Sequence, residues 1–236
     1  MLEVRNIAFT YRREKVLKDV SFVVSPGETV CILGANGAGK TTLLRVLATL
    51  ILPEEGKILL DGKNILLKPN EYRKNLGYLP EEIGLYDEMT VKEYLIYRAK
   101  LKGELPRRVR RRVTEAAQAC LLTDKLRVLI RDLSLGYRKR VALADVILLR
   151  PRVILLDDFL SGLDHAMRVQ QREILSNIAA FSSVIVTGHE LEDLVQGTTR
   201  FLILKDGVIA SVVDAAGMEK SALVEKLNHV LEGAEE

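Results

Sequence analysis

Two cysteines, Cys31 and Cys120, are too few for a disulfide framework, and neither lies in the CxxC or His-rich setting of a structural zinc site. That usage suits a reducing compartment. Glycine and proline are sparse as well, 16 and 6 of 236 residues, which excludes a collagen-like or low-complexity polymer. A membrane span needs about 20 mostly apolar residues. The longest charge-free candidate, Ile174 to Gly188, is shorter and is broken by Ser176, Asn177, Ser182, Ser183 and Thr187. The first residues carry Glu3, Arg5, Arg12 and Arg13 and no uninterrupted apolar stretch of the secretory kind. The expectation is a soluble chain that reaches a membrane only through a partner. Charge of one sign is also lacking: 35 basic and 32 acidic side chains leave +3, which argues for neither a nucleic-acid nor a membrane binder. What is present, 48% apolar and 28% charged residues, is an ordinary globular composition with length enough for one large core or two small ones.

Short apolar runs bounded by Gly or Asp set the organisation. Leu2 to Thr10, Val20 to Val24 and Thr29 to Leu33 read as strands, the last two joined by the turn Ser25-Pro26-Gly27-Glu28. Further runs at Lys57 to Leu60, Leu76 to Leu79, Val153 to Leu156, Val184 to Thr187 and Phe201 to Leu204 suit strands buried on both faces of a mostly parallel sheet. Between Thr90 and Ala144 the pattern turns helical. Thr90 and Glu93 have capping-box spacing, Pro106 suits a first helical turn, and a third helix follows Leu133-Ser134-Leu135-Gly136. Glu219 to Leu231 spaces Leu223, Leu227 and Val230 as a closing amphipathic helix. The expected fold is α/β, with a helical insertion at about 81–140 between core segments 1–80 and 141–218, then a helix and tail over 219–236.

Gly34-Ala35-Asn36-Gly37-Ala38-Gly39-Lys40-Thr41-Thr42 matches GxxxxGK[ST], after a strand and before the helical run Thr42 to Leu50. Glycines allow successive backbone N–H groups to turn onto phosphate oxygens, and a helix N-terminus adds a positive dipole end. Lys40 can reach the β- and γ-phosphates, and the Thr41 hydroxyl can ligate Mg²⁺. A second carboxylate is needed for the cation, and Val153-Ile154-Leu155-Leu156-Asp157 supplies it at a strand end. Asp158 follows where a base would orient an attacking water.

With these residues in place, the chain resembles the nucleotide-binding subunit of an ABC transporter over nearly its whole length. Leu133-Ser134-Leu135-Gly136-Tyr137 looks like the family's signature motif, and Ser161-Gly162-Leu163-Asp164 like its D-loop. His189 stands at the switch-histidine position, Tyr11 at the A-loop aromatic with Val16 nearby, and Gly77-Tyr78-Leu79-Pro80-Glu81 at the Q-loop. The resemblance implies a P-loop NTPase core: a RecA-like mixed sheet with an antiparallel β subdomain and a helical subdomain. It implies ATP and Mg²⁺ as cofactors, with Tyr11 stacked on adenine and Thr41, Asp157 and Glu81 around the cation. Head-to-tail dimers, of identical chains or with another ABC ATPase, would place Ser134, Leu135, Gly136 and Tyr137 of one chain over the γ-phosphate held by the other. Transmembrane permease subunits would receive the motion on the helical subdomain. The chain would then lie in the cytoplasm, peripheral on the inner face of the membrane, with no nucleic-acid partner.

Three positions depart from the common family pattern. Asp158 stands for Glu, with Phe159 for Pro; one methylene less implies slow but non-zero hydrolysis, since a misplacement of about 1 Å can cost on the order of 10²-fold. Glu81 replaces Gln, in a segment, residues 77–86, that looks like an exporter branch. Leu135 and Tyr137 replace Gly and Gln, while Ser134 and Gly136 are kept. A weakly hydrolysing regulatory subunit and a soluble ABC ATPase acting on DNA or ribosomes are the competing readings. Against the second, the interval Pro80 to Leu133 is too short for a coiled-coil insertion. A GTPase is disfavoured because no guanine-reading tetrad is present. The run Arg107, Arg108, Arg110, Arg111 and Arg112 reads as a solvated helix face with Glu104 and Glu115 as counter-charges. His165 and His229 are expected at the surface, and Cys31 and Cys120 as small buried apolar side chains.

Overall fold

The structure is a computed structural model and describes residues 1–189 and 191–233. Its elements are β1 (Leu2–Tyr11), β2 (Glu14–Val24), β3 (Thr29–Leu33), α1 (Lys40–Leu47), β4 (Glu55–Leu60), β5 (Lys63–Asn64) and α2 (Pro69–Arg73). There follow β6 (Leu76–Leu79), α3 (Val91–Leu101), α4 (Pro106–Ala119), α5 (Leu135–Ile147), β7 (Val153–Leu156) and α6 (His165–Ala179). The chain closes with β8 (Ser183–Thr187), α7 (Leu191–Leu194), β9 (Arg200–Lys205), β10 (Val208–Asp214) and α8 (Lys220–Glu232). The end of the tail, residues 234–236, lies outside the described residues.

Ten strands form one sheet in the order β5-β4-β1-β2-β10-β9-β3-β8-β7-β6. From β9 to β6 all pairs are parallel, whereas β5, β4, β1 and β2 pair antiparallel. Period-2 alternation divides the parallel strands between two cores. Cys31, Leu33, Ile154, Leu156, Val184 and Val186 face the helical side, while Val30, Ile32, Val153, Leu155 and Ile185 face α1 and the antiparallel region. Both faces are therefore covered, which is why these strands are continuous apolar runs.

Several boundaries differ from the sequence reading. The helix after the P-loop is Lys40–Leu47 rather than Thr42 to Leu50, because Thr49 turns to φ 57° and Leu50 is left exposed. The strand expected over Val20 to Val24 begins at Glu14, and α5 begins at Leu135, so Gly136 lies in its first turn. That helix runs unbroken from Leu135 to Ile147.

The helical region, α3 to α5, is tied locally and through charge. Thr90 caps α3 with a reciprocal box: its hydroxyl accepts from the Glu93 N–H, and the Glu93 carboxylate accepts from the Thr90 N–H at 2.9 Å. On α4, Val109, Val113, Ala116 and Ala117 are buried while Arg107, Arg108, Arg110 and Arg111 stay exposed; Arg112 pairs with Glu104 at 3.0 Å. Asp145 on α5 is buried and meets two cations, Arg98 of α3 at 2.9 Å and Lys102 at its C-cap at 2.8 Å.

Cys31 and Cys120 are fully buried and unbridged, and burial pushes both thiols well above their ordinary value. Lys40 opposes that shift at Cys31 without cancelling it. Because the thiolate is the reactive form, a thiol reagent should label neither cysteine in the native protein and both in denaturant. Stoichiometric titration checks this, and one fast-reacting thiol under native conditions would contradict it.

Candidate functional site

Parallel strands in register deliver the loops at their C-terminal ends to one edge of the sheet, where α/β folds hold their ligands. Ile32 pairs with Thr187, Leu156 with Val186, and Leu79 with Leu156. One edge therefore gathers the P-loop after β3, Glu81 after β6, Asp157 and Asp158 after β7, and Gly188-His189 after β8. The P-loop must start with glycine, since a Cβ on Gly34 would lie 2.3 Å from the Leu204 carbonyl oxygen. Gly39, at φ 101°, supplies the left-handed turn that opens α1.

A cleft of about 450 Å³ at this edge is lined by Glu14, Val16, Asn36, Gly37, Gly39, Lys40, Thr41, Thr42, Glu81, Asp157, Asp158, Thr187, Gly188 and His189. The Lys40 ammonium donates to the carbonyls of Gly34 at 2.7 Å and Ala35 at 3.0 Å, so it lies curled inside its own loop. Burial lowers its pKa, and the Asp158 and Asp157 carboxylates act against that shift.

Beside it runs a short hydrogen-bond chain. The Thr41 hydroxyl donates to Asp157 Oδ1 at 3.2 Å, the Thr187 hydroxyl donates to the same oxygen at 2.7 Å, and the Asp158 N–H donates to Thr187 Oγ1 at 3.0 Å. The other oxygen, Asp157 Oδ2, is buried and makes no hydrogen bond. A buried carboxylate oxygen with an open acceptor position, next to a hydroxyl, fits a hard divalent cation. Among the described residues no three His, Cys, Asp or Glu side chains gather as a self-sufficient metal cluster. This suits Mg²⁺, which takes one or two protein ligands and completes its shell with water and phosphate oxygens.

Asp158 is half-buried and sits at φ 42°, a left-handed conformation that Asp tolerates better than most residues. Exposed His189 lines the same cleft across Gly188.

Not all the expected residues meet here. Ala38 lines a neighbouring cavity of about 460 Å³ under the P-loop instead. Tyr11 is outside the cleft wall; its ring packs edge-on against Phe9 with centroids 4.8 Å apart. Ser134, Leu135, Gly136 and Tyr137 are also outside this chain's own cleft. Ser134 is the N-cap of α5 with no hydrogen bond from its side chain to the helix, and Leu135 is half-exposed beside it. Tyr137 stacks under the Arg140 guanidinium at 4.9 Å. In the D-loop, Ser161 and Gly162 are exposed, Leu163 is buried, and Asp164 caps α6 by accepting from the Met167 N–H at 2.8 Å.

Two cleft residues escaped the sequence reading. Thr187, which bridges the two aspartates, had one signal: a hydroxyl ending an otherwise apolar strand. Glu14, at the start of β2, had none.

Comparison with known proteins identifies the family. The family model described as ABC transporter matches residues 17–161. The ABC transporter ATP-binding protein NatA of Bacillus subtilis is 31% identical over 218 residues, covering 92% of this chain and 89% of that protein. The lipopolysaccharide export system ATP-binding protein LptB of Haemophilus influenzae is 32% identical, covering 89% of this chain and 88% of its own. A molybdate/tungstate import ATP-binding protein of Pyrococcus abyssi is 32% identical, covering 91% of this chain and 62% of its own, so both directions of transport occur among the names. A solved structure described as an ATP binding subunit of an ABC transporter superposes with a TM-score of 0.82 at 27% identity, covering 97% of this chain and 99% of that one. A family model over residues 17–161 and relatives above 30% identity, two of them covered to nearly nine tenths of their own length, converge: the chain belongs to the ABC transporter family, as an ATP-binding subunit.

Proposed function

We propose that the chain hydrolyses ATP with Mg²⁺ at the sheet edge, as one half of a head-to-tail dimer that drives transmembrane permease subunits. The observation that carries this reading is the bonded series Thr41–Asp157–Thr187–Asp158 beside the P-loop, with Asp157 Oδ2 left open. P-loop N–H groups and Lys40 would hold the triphosphate, and Thr41 and Asp157 the cation, which when bound offsets charge on the phosphate oxygens. Asp158 would accept a proton from the attacking water, and His189 would contact the γ-phosphate. Thr187 fixes the turn between the two aspartates, so that one holds the cation and the other faces the cleft.

Ser134 and Leu135, exposed at the N-terminus of α5, would serve the nucleotide of a second chain, identical or not. The permease would bear on the helical region, where Tyr86, Tyr97 and Leu101 form an exposed apolar surface. Among the described residues no helix is long and apolar enough to cross a membrane. The location that goes with a permease partner is peripheral, on the cytoplasmic face. Export as the direction rests on residues 77–86 alone.

Asp157→Asn tests the cation assignment. It replaces an anionic ligand by a neutral amide and should raise the Mg²⁺ concentration for half-maximal turnover by at least 10- to 100-fold, taking second-shell losses as a floor. An unchanged Mg²⁺ dependence would remove Asp157 from that role.

A further inference from the structure

Lys139 lies in the second turn of α5, one turn beyond Ser134 and Leu135, and is buried. A lysine is seldom buried unless its ammonium has partners. Here the partners are backbone carbonyls on the far side of the catalytic turn: Nζ donates to the Phe159 oxygen at 3.1 Å and to the Ser161 oxygen. Burial pulls its pKa down, and the carboxylates of Asp158 and Glu81, both in the cleft wall, pull it partway back. A second contact joins the same two elements: a Cβ on Gly162 would lie 3.3 Å from Leu135 Cδ2, so the half-exposed leucine of the signature rests on the D-loop. From the other side, Arg168 on α6 donates to the Leu163 carbonyl at 2.8 Å and pairs with buried Asp193 on α7 at 2.8 Å. The segment from Asp158 to Leu163 is thus gripped by two cations at its backbone, one from the signature helix and one linked to the helix after His189.

We infer that Lys139 is a positioning residue: it fixes the Asp158 turn and the D-loop onto the signature helix of its own chain, so that what α5 contacts is felt at Asp158. The inference rests on the hydrolytic function proposed above. In the head-to-tail dimer, α5 would face the nucleotide of the other chain, and Lys139 would carry its occupancy to this chain's own cleft. A lysine suits the role because one ammonium can satisfy several carbonyls that bend toward it.

The test uses the full chain with Lys139→Gln, which keeps a donor but loses the charge and reach, and with Lys139→Arg, which keeps charge and several donors. ATP turnover, equilibrium affinity for ATP and amide exchange by segment are measured for each. Lys139→Gln should turn over about 10- to 100-fold more slowly, the cost of a misplaced catalytic group. Its ATP affinity should stay within about twofold, since a residue outside the P-loop leaves the bulk of ground-state binding in place. Residues 158–164 should exchange faster than in the wild type, and Lys139→Arg should recover both properties. Unchanged exchange at 158–164 in Lys139→Gln overturns the inference whether or not the wild type hydrolyses ATP. Faster exchange spread evenly over the chain marks general destabilisation and overturns it too. A wild type without turnover, in which Lys139→Gln still loosens 158–164 selectively, overturns the hydrolytic reading and leaves the clamp standing.

Discussion

Asp158→Asn should reduce ATP turnover by about 10²- to 10⁴-fold, the usual contribution of a positioned general base, and leave ATP affinity nearly unchanged. The substitution keeps the size of the side chain and the hydrogen bond from the residue 158 N–H to Thr187, so the turn survives. It removes only the proton acceptor facing the cleft. Asp158→Glu is the informative companion. One more methylene brings the carboxylate closer to the water, but the residue sits at φ 42°, where Glu is less at ease than Asp. If short reach is what slows the enzyme, turnover rises despite this strain; a fall would mean that the geometry of the turn already suits Asp. Measuring turnover and nucleotide affinity together separates these effects from loss of binding.

The second large effect concerns stability. Asp145 pairs with both Arg98 of α3 and Lys102 at its C-cap, and its side chain is only about 10% exposed, against 29% and 28% for the two cations. Asp145→Ala takes the carboxylate from both cations in a mostly dry place and leaves Lys102 only the residue 145 carbonyl. Breaking a buried pair by removing one partner costs about 3–5 kcal/mol, and the residual exposure of the cations puts this case near the lower bound, about 3 kcal/mol. For a chain of this size a loss of 1 kcal/mol lowers Tm by roughly 2–4 °C, so the variant should melt roughly 6–12 °C lower. Burial is the chief pull on Lys102, lowering its pKa, and Asp145 is the chief opposing charge. A Tm within about 2 °C of wild type would show that solvent compensates the two cations and that the pair does little for the fold.

Much of the site was legible because its chemistry leaves short, ordered marks. The P-loop lies between a strand and a helix as its phosphate-binding role demands, and Asp157 follows four apolar residues that proved to be β7, buried on both faces. The strands read from apolar runs all lie in the sheet; β3, β7 and β8, buried on both faces, match within a residue, whereas β2, with exposed positions along its first half, begins six residues before the run that marked it. What escaped depends on contacts between distant segments. Lys139 carries no local sign of its role in the sequence, yet its ammonium reaches carbonyls 20 and 22 positions away. Asp145 carried no local sign of its partners 43 and 47 positions upstream. Helix α6 was not read because its buried stripe is thin, only Gln171, Ile174 and Ile178, one of them polar. Strand β10 was missed for the same kind of reason: half-exposed, it buries only Val213 well. Tyr11 was legible as an aromatic ahead of the P-loop, but its packing on Phe9 was not.

The central claim, that two chains complete a hydrolytic site whose base is Asp158, is tested most directly by Mg²⁺-ATPase turnover of the purified chain over a wide range of protein concentration, with Asp158→Asn in parallel. The expected result is a rate per chain that rises with concentration as dimers form and that is lost in the variant. A rate per chain that is constant with concentration, or one that Asp158→Asn leaves intact, would contradict it.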